Sequence, residues 1–122
     1  MNKNISITAL LGAIGIILGA FGAHALKEKL GIDQLKTFET GVRYQMYHVF
    51  ALLFVNSYSN FTNKSKNKIS IFFFIGILFF SGSLYAISAG NINPKTIWFI
   101  TPIGGLLFII GWLFTFYNTL KK

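Results

Sequence analysis

Apolar residues run in four long stretches along this chain, at about residues 5–26, 41–58, 69–90 and 98–120, with short polar gaps between them. A helix needs about 20 residues to cross the hydrocarbon core of a bilayer, and the stretches suit that length. Backbone polar groups in lipid must be bonded within their own segment, so closely spaced apolar stretches predict helices rather than open strands. The expectation is an all-α integral membrane bundle of four transmembrane helices, forming one domain over residues 1–122.

The gaps carry signals of their own. Between the first two stretches, Leu35, Phe38 and Val42 fall on one helical face and Lys36, Glu39 and Arg43 on another. This predicts an amphipathic segment lying on the membrane surface and bending into the second span. Gly31 reads as the end of the first helix and Asp33 as the N-cap of the next. "FTNKSKNK" (61–68) and "NINPK" (91–95) read as turns, the second with Asn93 as N-cap and Pro94 at the first helical position. Within the first stretch Gly12, Gly15, Gly19 and Gly22 recur at spacings of three, four and three, a stripe for close contact with another membrane helix. Ala23-His24-Ala25 imitates a leader cleavage site, but a glycine stripe serves a retained helix better.

Composition fixes the solvent. Charged residues make up 11% of the chain and hydrophobic ones 53%, whereas a soluble domain carries about 25% charged residues to coat itself. The net charge of +8 comes from lysines in the gaps. That placement matches anionic headgroups and argues against nucleic acid as a partner. Lys3, Lys64, Lys66, Lys68, Lys121 and Lys122 fall on the side of the termini, against Lys27, Lys29, Lys36, Arg43 and Lys95 on the other. The excess favours both termini in the cytoplasm. There is no cysteine, which excludes disulfides and thiolate chemistry.

Polar residues inside apolar spans are costly and invite a functional reading. His24, Glu39, Arg43, Tyr44 and His48 are all expected near the membrane face of the first loop. Glu39 and His48 are nine residues apart and therefore about half a turn out of phase, so they cannot ligate one metal on a straight helix. Tyr44 and His48 share a face, and the arrangement predicted sets the Ala13/Ala20/His24 face against them. In the third stretch Ser81, Tyr85 and Ser88 form a polar stripe beside Gly82, Ala86 and Ala89. In the fourth, Pro102 of "TPIGG" (101–105) removes the donor to the Trp98 carbonyl and predicts a kink. Each feature has a structural counterpart: histidines bonded to tyrosine, serine or carbonyls, and stripes that only pack. Ser81 and Ser83 have no acid to complete a triad, and two histidines with Glu39 make a poor zinc set. No cofactor and no metal is expected.

"GAFGAHALK" (19–27), "FETGVRYQMYHVFALLFV" (38–55), "FSGSLYAIS" (80–88) and "TPIGG" with the following "GW" resemble the signature blocks of domain-of-unknown-function family 423. That family holds small membrane proteins of the YgdD and YwdK kind and is related to transmembrane protein 256. The resemblance covers essentially the whole chain. It implies a multi-spanning protein of the bacterial cytoplasmic membrane and supplies no activity. Its polar signature positions coincide with His24, Tyr44, His48, Ser81, Ser83, Tyr85, Thr101 and Pro102; Arg43 is less fixed in the pattern. The function expected is a lipid- or partner-binding accessory protein, alone, as a homo-oligomer or beside a larger membrane protein. The alternative is a small oligomeric carrier or channel using His24 and His48, and behind it a haem protein with the same two ligands.

Overall fold

The computed structural model describes residues 3–121; Lys122, counted above on the terminal side, lies outside them. Four helices follow one another antiparallel: α1 (Lys3–Leu26), α2 (Ile32–Ser57), α3 (Asn63–Ser88) and α4 (Ile100–Leu120). There is no strand among the described residues. Of the four, α1, α3 and α4 are long and apolar enough to cross a membrane. In α2 the charges of Asp33, Lys36, Glu39 and Arg43 dilute the first half.

The ends of these helices differ from the expectation wherever a polar stretch was itself helical. Residues 32–40 do not bend along a surface; they are the first turns of α2, which runs on unbroken to Ser57. Its N-cap is Gly31 rather than Asp33, and the Gln34 Oε1 accepts a bond from the Gly31 amide (3.2 Å). The lysines of residues 64–68 lie in α3, not in a turn, because Thr62 caps the helix by accepting from the Ser65 amide (3.1 Å). Asn93 and Pro94 do not start α4, which begins at Ile100; the Asn93 side chain instead accepts from the Lys95 amide in the connecting turn. Pro102 therefore sits in the first turn of α4, where backbone amides have no partner inside the helix. The kink expected there has no cause.

Two π turns interrupt the regular ladder, at Ile17–Gly22 in α1 and Ile77–Ser81 in α3. The amides after them reach back five residues, Ala23 to the Leu18 carbonyl and Gly82 to that of Ile77. Such turns carry an extra residue and rotate everything beyond them.

The glycine stripe of α1 does what its spacing predicts. A side chain added at Gly12, Gly15, Gly19 or Gly22 would meet Val49, Met46, Val42 or Phe38, all on α2. On α4, Gly104 and Gly111 lie against Phe80 and Phe73 of α3. The apolar core, including Leu52, Val55, Ile69, Phe73 and Phe108, joins α2, α3 and α4. Outside, Leu10, Ile17, Phe21, Leu78, Leu106, Leu113 and Phe116 stand exposed. Inside, Thr8, Gln45, His48, Ser70, Ser81, Ser83, Ser88 and Thr115 are buried. An apolar exterior around a partly polar interior is the arrangement lipid demands, since polar groups there hold helices together.

Candidate functional site

Among the buried polar groups is the His48 imidazole, 4% exposed on α2. One turn back, the Tyr44 carbonyl lies 2.8 Å from Nδ1. A carbonyl can only accept, so the hydrogen is on Nδ1. On the other side the Trp112 indole of α4 donates to Nε2 at 3.0 Å. Both bonds require the same neutral tautomer. The ring lies flat on Phe108, with centroids 3.6 Å apart and planes at 7°, and Phe73 meets it edge-on. His48 is thus a pin between α2 and α4, with no ring nitrogen left over.

A second polar contact ties α1, α2 and α3. Gln45 donates to the Leu11 carbonyl at 2.8 Å, and its own oxygen accepts from the Tyr85 hydroxyl at 2.7 Å. One turn toward the first loop, Ser81 donates to the Gly41 carbonyl at 2.7 Å, where the tyrosine ring also leaves no room for a side chain on Gly41. Ser83 bonds the Thr101 hydroxyl and so joins α3 to the start of α4. At the opposite end, Asn4 donates to Asn56 and Asn67, and Asn56 to Ser70, linking α1, α2 and α3. Every buried side-chain nitrogen and oxygen among the described residues has a partner.

The model of the family described as "Protein of unknown function (DUF423)" matches residues 18–105. The chain belongs to the DUF423 family. Among its relatives, a UPF0382 membrane protein of Haemophilus influenzae is 43% identical over 121 residues, covering 99% of this chain and 96% of the relative. One from Staphylococcus aureus is also 43% identical, over 99% and 98% of the two chains. The UPF0382 inner membrane protein YgdD of Escherichia coli K12 is 35% identical over 85% of this chain and 79% of its own. No solved structure matches.

In this DUF423 protein the ten candidate residues do not form one site. His24 and His48 do not meet. The glycine contacts set Gly12 opposite Val49 and Gly19 opposite Val42, so the two histidines differ in depth by about 16 Å at the helical rise. His24, with Ala13 and Ala20, is on the exposed side of α1. The expected apposition of these faces is wrong because the glycine stripe, not the histidine side, contacts α2. One haem iron cannot take both rings across that distance. Glu39 and Arg43 are exposed on the flank of α2, and the Tyr44 ring lies on Tyr47 and Phe80. Pro102 is exposed. Among the described residues no three His, Asp or Glu side chains gather as a metal set. Sequence reasoning passed over Gln45, Trp112 and the asparagines. A lone amide at position 45, between apolar neighbours on the His48 face, was the available signal.

Proposed function

We propose that this DUF423 protein is a small four-span accessory protein of the bacterial cytoplasmic membrane that binds lipid or a membrane partner, and that its buried polar residues are structural. The observation that carries the reading is the complete internal pairing of those residues. A carrier needs polar groups that exchange partners with a solute or proton. Here His48 spends both nitrogens on Tyr44 and Trp112, and Gln45 bridges Leu11 and Tyr85. All three acids, Glu28, Asp33 and Glu39, are exposed.

The test is proton and potassium flux in proteoliposomes. Leakage equal to that of protein-free vesicles is expected; a flux that His48→Ala abolishes would overturn the proposal in favour of a carrier.

The four-span topology proposed, with cytoplasmic termini, counts α2 as a span, a reading supported by its packing between α1 and α3. Because the chain has no cysteine, single substitutions can report it. Ser59→Cys should react with an impermeant maleimide only from the cytoplasmic side, and Lys29→Cys and Asn93→Cys only from outside. Labelling of positions 29 and 59 from the same side would remove α2 as a span.

A further inference from the structure

The end of the bundle that holds the start of α3 and the end of α4 has a cavity of about 430 Å³. Lys64, Lys68 and Lys121 line it. The Lys68 ammonium lies 4.5 Å from the centre of the Phe114 ring and the Lys121 ammonium 5.6 Å from that of Tyr117. Ser65 and Asn118 close the back, hydrogen-bonded to each other at 2.7 Å. All three acids of the chain lie at or before the first turns of α2, at the opposite end of the bundle. Three ammonium groups thus face one concavity with no Asp or Glu side chain at that rim among the described residues, a lining that suits an anionic ligand.

We propose that this cavity is a headgroup site for an anionic phospholipid, its phosphate held by Lys64, Lys68 and Lys121. The inference rests on the lipid-binding form of the function proposed above. Phosphate chemistry alone would also admit a free phosphate ester. The lipid is favoured by what lies beneath the cavity. At helical spacing Ile71 and Ile75 continue the Lys64/Lys68 side of α3, and Ile110 continues the Phe114/Tyr117 side of α4, all exposed. A bound headgroup leaves its acyl chains against this apolar surface. Basic cavities between membrane helices on the cytoplasmic side suit anionic headgroups for the same reason, each nearby lysine strengthening the attraction.

The test is native mass spectrometry of the full chain in mild detergent, titrated with dioleoyl phosphatidylglycerol or dioleoyl phosphatidylcholine. Preferential retention of phosphatidylglycerol is expected. The variant Lys64→Gln/Lys68→Gln/Lys121→Gln should lose that preference by roughly tenfold or more. The matching arginine triple should keep it, showing that loss of charge and not of folding is read. The far-rim triple Lys27→Gln/Lys29→Gln/Lys36→Gln should leave it unchanged. An equal loss in the far-rim triple, or none in the first, would overturn the site while lipid binding itself survives. Displacement of the lipid by millimolar glycerol 3-phosphate would assign the cavity to a free phosphate ester instead. Retention of neither lipid would overturn the lipid-binding reading together with the site.

Discussion

Replacing Gly104 with valine is expected to unseat α4, the largest effect of any single substitution in this chain. A Cβ there would stand 2.3 Å from the backbone nitrogen of Phe80 and 2.8 Å from its Cα. Backbone cannot swing aside as a side chain does, so the two helices must separate and the packing of Phe108 against Gly76 loosens with them. Overpacking of this kind costs about 1–3 kcal/mol even where side chains can yield, and the upper end or beyond is expected here. Gly105 provides the internal control. Its nearest neighbour would be the Phe80 ring at 4.0 Å, so Gly105→Ala should be neutral or stabilising by a few tenths of a kcal/mol from helix propensity. Gly15→Ala should fall between, because the atom it meets is the flexible Met46 sulfur at 2.5 Å. Reversible unfolding in mixed micelles ranks the three. Equal midpoints for the two alanine variants and Gly104→Val would mean that α3 and α4 are not held at this crossing.

The glycine contacts also show which parts of the structure could be read beforehand. The stripe from Gly12 to Gly22 was legible because small residues at helical spacing suit close helix approach, and they meet α2 between Phe38 and Val49. Helix boundaries were legible only where polarity and helix end coincide. In α2 they do not: Ile32 to Thr40 is charged yet helical, and counting the span from Gly41 placed His48 near the loop rather than deep in the bundle. In α4, Asn93 and Pro94 offer good capping chemistry, but helix start is set by where Thr101 and Gly104 can dock on α3. His24 does share a face with Ala13 and Ala20, as the helical count places it, but such a count says nothing about which face the neighbour takes, and α2 takes the glycine side. Ser81 and Tyr85 were recognised as a polar stripe, and both do bond to α2. Their partners, Gly41 and Gln45, needed the register between helices, which no single segment encodes.

The two histidines, alike in sequence, are expected to behave oppositely. His24→Ala should leave stability within about 0.5 kcal/mol of the parent, since His24 stands on an exposed face. His48→Leu should cost about 2–3 kcal/mol. It removes the acceptor of the Trp112 indole and the stack on Phe108; an interhelical bond in a membrane protein contributes about 1 kcal/mol and an aromatic pair about as much again. Trp112 is 47% exposed, but that surface faces hydrocarbon, where no water replaces the lost partner. Trp112→Phe should therefore cost about 1–2 kcal/mol by leaving Nε2 of His48 unpaired. Combined with His48→Leu it should cost about 1 kcal/mol less than the sum, since each change removes the same bond. Tyr44→Phe separates this from a general sensitivity of the region: the bond to His48 uses the Tyr44 backbone carbonyl, so losing the hydroxyl should matter little. Strictly additive effects in the cycle, or a Tyr44→Phe loss as large as that of His48→Leu, would show that the imidazole does not pin α4 to α2.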